Sequence, residues 1–292
     1  MLGLVSRQAS QFRANKNAGT PVLLGIPFDA NSSFLRGAAG APAAIRSAFH
    51  SSAGNYWTES GVDLGTKGIF LDGGDLQFSS EAFSSIEQSV NEVLDRGLRP
   101  ICLGGDHSIT FPILQAVGKR VPGVTIIHFD AHPDLYDELD GNRMSHACPF
   151  ARIMEEGLVN KLIQVGIRTA TGPQREQAKK FGVEMIEMWK LPAFAKMKVA
   201  GPMYISFDMD VLDPAFAPGI SHREPGGMSV REALAHLNAI EGDIVGVDLV
   251  EFNPAQDVSN ITALVAAKLV KELLGKMIAG SCNAERQARV GN

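Results

Sequence analysis

Seven short apolar runs recur along the chain, each with glycine or aspartate in or near its closing residues: VLLGIP, GIFLDGGD, PICLGGDH, VTIIHFD, LIQVGIR, MYISFDMD and DIVGVDLVEF. Each has the length of a strand, and none alternates apolar with polar residues. A strand of that kind is buried on both faces, which happens in a parallel sheet sandwiched between helices. The intervening segments carry helical spacing. EAFSSIEQSVNEVLDRG places Phe83, Ile86, Val90 and Val93 on one face and closes on Gly97. SVREALAHLNAI opens on Ser229 with Glu232 three residues on, a capping box. ITALVAAKLVKELLGKM reads as a strong final helix. Strand–helix alternation implies right-handed βαβ units. The expected fold is therefore α/β: a single three-layer α/β/α domain with a mainly parallel sheet over residues 21–292, preceded by a loosely held extension over 1–20.

Composition narrows the function. The 292 residues include 27 lysines and arginines against 32 aspartates and glutamates, a net charge of −5. No basic run suited to phosphate backbones is present, so nucleic acid is not an expected partner. No apolar segment approaches the roughly 18 residues that cross a bilayer, so no membrane partner is expected. Cys102, Cys148 and Cys282 lack zinc-ribbon spacing and fit a reducing compartment. The first 28 residues hold no acid but carry Arg7, Arg13 and Lys16. The cytoplasm is the expected location, with a mitochondrion as the alternative should this basic segment be a transit remnant.

In open parallel sheets, ligands bind beyond the carboxyl ends of the strands. Three run ends are rich in chemistry there. GGDHS supplies Asp106 and His107, DAHPD supplies Asp130, His132 and Asp134, and SFDMDVLDP supplies Asp208, Asp210 and Asp213. In extended chain, residues i, i+2 and i+4 point the same way, so Asp130, His132 and Asp134 converge, and so do Asp208 and Asp210. A single GGDH or DxD is an ordinary turn. Three acidic strand ends in one sheet are not, because crowded buried carboxylates repel unless cations neutralise them. His107, Asp130, His132, Asp134, Asp208 and Asp210 offer four carboxylates and two imidazoles, a charge that balances two divalent ions. Oxygen-rich ligation favours Mn²⁺ over Zn²⁺. Two such ions bridged by carboxylates make a shared water acidic enough to ionise near neutral pH. The chemistry expected is metal-assisted hydrolysis.

GGDHS, DAHPD and SFDMDVLDPAFAPG together, in this order, resemble the signatures of the ureohydrolase family, the arginases, agmatinases and their relatives. The similarity runs from LLGIPFDANSSF near residue 23 to the final helix. It implies an arginase-like fold, two Mn²⁺ per subunit held by the six residues above, and removal of urea from a small guanidino compound. It implies bridging roles for Asp130 and Asp210, and a further role for Asp134 in steadying the attacking oxygen. His146, in GNRMSHACPF, matches the family's proton-shuttling histidine, and Glu251, in VDLVEFNP, the glutamate that holds the guanidinium. Asp213 is expected to brace the metal loop. Family kinship also implies a homo-oligomer, a trimer or hexamer. His222 and Cys148 read as loop lining and packing. His128 has the parity of His132, which leaves a supporting role open.

DGNRMSHACPFARIMEEG, NSSFLRG, APGISHREPGG and VEFNPAQD resemble plant-type arginases most. Asn142, Arg143 and Ser145 are candidate donors to an α-carboxylate, which arginine has and agmatine lacks. The expected substrate is thus L-arginine, giving ornithine and urea. Agmatine and guanidino acids such as guanidinobutyrate are the alternatives. A zinc deacetylase or a metal-dependent scaffold would share the fold, but neither needs the full set of six ligands with His146 and Glu251.

Overall fold

Residues of opposite parity along each strand go to opposite sides of one sheet. The computed structural model describes residues 19–78, 81–191 and 196–290, leaving aside the side chains of 281–290. Eight strands form the sheet: β1 (Pro21–Gly25), β2 (Leu71–Asp75), β3 (Arg99–Leu103), β4 (Thr125–Phe129), β5 (Lys161–Ile167), β6 (Glu184–Glu187), β7 (Met197–Asp208) and β8 (Ile240–Val250). Their order across the sheet is β2-β1-β3-β8-β7-β4-β5-β6, and every pairing is parallel. Seven of these strands are the apolar runs read from the sequence. The eighth, β6, has a half-exposed edge sequence, EMIE, and gives no such run.

Helices α1 (Ala41–Phe49), α6 (Val230–Ala239) and α7 (Ile261–Val290) pack on one face. They bury Leu23, Ile101, Leu103, Ile127, Phe129, Ile205, Phe207, Val247 and Leu249. Helices α2 (Ala82–Asp95), α3 (Thr110–Arg120), α4 (Pro149–Glu155) and α5 (Gly172–Phe181) cover the other face. There they meet the residues of alternate parity, Val22, Leu24, Cys102, Ile126, Leu162 and Tyr204. Because both faces are covered, the inner strands are apolar at most positions, whereas the edge strands β2 and β6 are not. The capping box expected at Ser229 and Glu232 forms as read. Ser229 Oγ accepts from the Glu232 amide at 3.2 Å, and the Glu232 carboxylate accepts from Ser229.

No helix among the described residues is long and apolar enough to cross a membrane. Apart from residues 19 and 20, the extension expected over 1–20 lies outside the described residues, as does the side chain of Cys282.

β3, β4, β7 and β8 occupy the middle of the sheet, and their carboxyl ends lead into GGDHS, DAHPD, the DMD turn and Glu251. The centre of the sheet thereby collects acids from four strand ends. Tight backbone approach holds the first of these turns. A Cβ on Gly105 would stand 1.7 Å from the Phe28 carbonyl oxygen, so glycine alone fits there.

Candidate active site

His107 opens a short 3-10 turn, His107–Ile109, whose N-cap is Asp106. Its ring is fully buried, and its Nε2 lies 3.0 Å from Ser206 Oγ. Ser206 Oγ in turn donates to Asp248 Oδ1 at 2.7 Å. Asp248 also accepts from the hydroxyls of Thr110 (3.0 Å) and Tyr204 (2.8 Å). With the serine proton committed to a carboxylate, Ser206 Oγ accepts from His107 Nε2–H, and Nδ1 carries the free lone pair.

Among the described residues, that Nδ1 has no hydrogen-bond partner. It faces Asp134 Oδ2 at 3.0 Å, Asp208 Oδ2 at 3.1 Å and Asp130 Oδ2 at 3.2 Å. An imidazole lone pair aimed into three buried carboxylate oxygens is repulsive unless a cation stands among them. The second imidazole repeats the arrangement. His132 Nδ1 lies 2.9 Å from Asp210 Oδ2 and 3.4 Å from Asp130 Oδ1. Three candidate ligand groups result, His107–Asp130–Asp134–Asp208, Asp130–His132–Asp210 and His107–His128–Asp130, with Asp130 common to all three. The donor set fits a pair of hard divalent ions. The structure thus brings together all six residues expected to hold metal. Asp130 recurs in every group, whereas Asp210 stands in the His132 group alone.

Without metal, protons take the cations' place. Burial pulls the His107 imidazolium down, but Asp130, Asp134 and Asp208 outweigh it and hold it well above the ordinary histidine range. Burial likewise opposes His132, and Asp210 and Asp130 nevertheless push it up to about 12. Burial and the charge of Asp210 drive the Asp208 carboxyl well up.

Beside the metal ligands stands a second pair. His146 Nδ1 lies 2.9 Å from Glu251 Oε1, and its Nε2 lies 2.8 Å from Ser33 Oγ. Glu251 Oε1 also accepts the His107 backbone N–H at 2.9 Å. Burial lowers the His146 imidazolium, yet the Glu251 carboxylate raises it to about 9. Both Glu251 and Asp134 hold left-handed backbone, φ 61° and 48°, a conformation costing non-glycine residues roughly 1–3 kcal/mol. Asp213 accepts the backbone amides of Ala215, Gly226 and Gly227, the bracing role expected of it.

These groups line a cavity of about 180 Å³, whose wall includes Ser33, His132, Asp134, Tyr136, His146, Thr169, Gln174, Asp208, Asp210, His222 and Glu251. Asn142, Arg143 and Ser145 are not among its lining. Arg143 is half exposed and pairs with Asp137 (2.5 Å) and Glu155 (3.0 Å). Asn142 Oδ1 accepts the Met144 amide, and Ser145 Oγ the Ala147 amide. Sequence reasoning gave no role to Gln174, Tyr136, Thr169 or Ser33, whose lone hydroxyls and amide carry no distinguishing pattern. His222, read as loop lining, does line the cavity, its ring 5.2 Å from that of His146 and 5.8 Å from that of His132.

A parallel sheet whose carboxyl edge gathers paired carboxylates and imidazoles around a half-open cavity defines a metal-dependent hydrolase. Comparison with known proteins narrows the class. The profile described as "Arginase family" matches residues 20–275. The mitochondrial arginase of Medicago truncatula is 47% identical over 279 residues, covering 89% of this chain and 82% of that protein. The solved structure of arginase from Medicago truncatula superposes with a TM-score of 0.84 at 45% identity, over 94% of this chain and 91% of the other. A guanidinobutyrase of Pseudomonas aeruginosa is 38% identical over 208 residues, 66% of this chain and 65% of that protein. The chain belongs to the arginase family and is a metal-dependent ureohydrolase.

Proposed function

We propose that the protein hydrolyses L-arginine to L-ornithine and urea with two Mn²⁺ bound, one to His107, Asp134 and Asp208, one to His132 and Asp210, and Asp130 shared. The observation that carries the metal reading is the buried, unpartnered His107 Nδ1 facing three carboxylate oxygens. Bound divalent cations would supply Lewis-acid activation of water.

The chain's own residues do the rest. Glu251 Oε1 is taken by His107 and His146, while Oε2 has no hydrogen bond among the described residues and is the oxygen offered to a guanidinium. Water, with one proton passed by way of Asp134 to solvent, adds to the central guanidinium carbon, and the bond from that carbon to Nε of arginine must then break. An amine leaves only once protonated. His146 is placed to supply that proton, because Nδ1–H is anchored on Glu251 and Nε2 carries the hydrogen that passes to Nε of arginine. The imidazole regains its proton from the hydroxyl that becomes the urea carbonyl. Asp134, beside His107 and in the cavity wall, accepts a hydrogen bond from the attacking oxygen and orients it.

Arginine is favoured over other guanidino compounds by the plant arginase similarity and by the donors at the cavity wall. Gln174 Oε1 accepts from Thr171 N and Oγ1, leaving its amide hydrogens unassigned. Tyr136 Oη lies 3.0 Å from Thr171 Oγ1 at the same wall. We assign the substrate's α-carboxylate to these two groups rather than to Asn142, Arg143 and Ser145. The guanidinobutyrase similarity sustains a second reading, a guanidino acid without an α-amino group. Urea release from arginine, agmatine and 4-guanidinobutyrate, measured with Mn²⁺ after chelation, separates them. Fastest turnover of arginine is expected, and faster turnover of either rival would reassign the substrate. The relatives named mitochondrial favour that compartment over the cytoplasm, which localisation of a tagged chain would test. Assembly into a trimer or hexamer, checked by light scattering, completes the proposal.

A further inference from the structure

A row of polar side chains crosses the sheet under the metal ligands. In strand register, Asp248 of β8 pairs with Ser206 of β7, Ser206 with His128 of β4, and His128 with Gln164 of β5. All four are completely buried, on the face otherwise filled by Cys102, Ile126, Leu162 and Tyr204. Polar groups in such a place are costly unless they find partners, and in this row only Gln164 Oε1 has none among the described residues. Asp248 and Ser206 direct theirs toward His107. The other half of the row, His128 and Gln164, touches no substrate-facing group.

Its bonds are directional. Gln164 Nε2 lies 2.6 Å from the Pro133 carbonyl oxygen and 3.1 Å from His128 Nδ1. A carbonyl can only accept, so the nitrogen of the Gln164 amide must be the atom placed there, and its second hydrogen points at His128. His128 Nδ1 is therefore an acceptor, and the ring's proton sits on Nε2. That Nε2 lies 2.7 Å from Asp130 Oδ2. Phe150 of α4 packs at 4.0 Å on the imidazole, tilted 33°, and fixes its plane. Asp130 Oδ1 is held from the other side by the His132 amide at 2.5 Å. Both oxygens of the carboxylate common to the ligand groups are thus steered by hydrogen-bond donors, the His128 ring and the His132 backbone amide.

We infer that Gln164 and His128 are positioning residues: the Gln164 amide selects the Nε2–H form of His128, which then holds Asp130 Oδ2 in the orientation both cations need. Pro133 lies between His132 and Asp134, so the same amide also tethers the loop carrying two further ligands. The inference rests on the metal reading of the site, and metal binding by the unaltered chain tests that reading by itself.

The test is Mn²⁺ affinity, measured by calorimetry on chelated, refilled protein, with unfolding of the metal-free form recorded alongside. His128→Phe keeps a ring against Phe150 but removes the donor. His128→Gln keeps a nitrogen donor at the Nε2 position. Gln164→Met keeps the volume but removes both amide hydrogens. Partners of metal ligands typically change metal affinity by about 10–100-fold. His128→Phe and Gln164→Met should therefore weaken Mn²⁺ binding at least about tenfold, with His128→Gln within about threefold of the parent. A role in packing alone would shift metal-free unfolding and leave affinity intact. Parent-like affinity in Gln164→Met, or equal losses in His128→Phe and His128→Gln, would overturn the inference. Should His128→Phe fail to fold, Gln164→Met decides it with the imidazole still in place.

Discussion

His146 and Glu251, 105 residues apart in the chain, meet with Nδ1 and Oε1 2.9 Å from each other. Both are buried in the cavity wall, and the same Glu251 oxygen caps the backbone amide of the metal ligand His107. The proton donor, the guanidinium holder and the metal turn are thereby tied into one unit.

Removing the imidazole should expose this unit's chemistry. His146→Asn is expected to lower kcat by about 10²–10⁴-fold, the range for a lost general acid, while bound metal stays at the parental level. Steady-state kinetics beside metal analysis checks it. A loss of metal matching the loss of rate would make His146 structural.

The same pair gives the metal-free protein a pH signature. With the folded imidazolium raised to about 9, above the ordinary 6.5, its stabilisation is complete below pH 6.5 and is lost as pH rises through about 9. The contribution has an upper bound of about 3 kcal/mol. Denaturant unfolding should show stability falling across this window, and less steeply in His146→Asn. His132, whose raised value affects both proteins alike, cancels in the comparison. Identical slopes would mean that the pair does not set the pH dependence.

The shared carboxylate predicts unequal outcomes for two similar substitutions. Asp130→Asn should lose both ions, whereas Asp210→Asn should lose only the ion of the His132 group. Metal content after dialysis distinguishes them. Equal loss in the two variants would mean that the groups are not linked through Asp130.

At the far end of the cavity, Gln174→Leu should raise KM for arginine by about 10-fold or more, the loss expected of one hydrogen bond to a charged group. Agmatine, with no carboxylate, should be affected much less. An equal effect on both substrates would place Gln174 in support of the wall and not in recognition.

Much of this molecule was legible in the order of its residues. Buried parallel strands advertise themselves by unbroken apolar runs, and the acids at their ends stand out because nothing else explains them. β6 escaped because a half-exposed edge strand has no such run. Gln164, Ser206 and Asp248 escaped for another reason: one polar residue within an apolar strand is unremarkable until register sets it beside its partner 40 or so positions away. Arg143 shows the converse error. A cationic loop residue near the site invites a role in binding, but Asp137, six residues upstream, and Glu155, twelve downstream, already engage it. The identity of the bridging residue depended on distances between loops, which spacing within each motif does not contain.

Six ligands from three strand ends sharing one pocket is the claim on which the rest stands. Its most direct test is the stoichiometry of Mn²⁺ on chelated, reconstituted protein, followed with urea release from arginine at each point of the titration. Saturation at two ions per chain is predicted, with activity rising as they fill. Saturation at one ion, or urea release that ignores the metal, would contradict the claim.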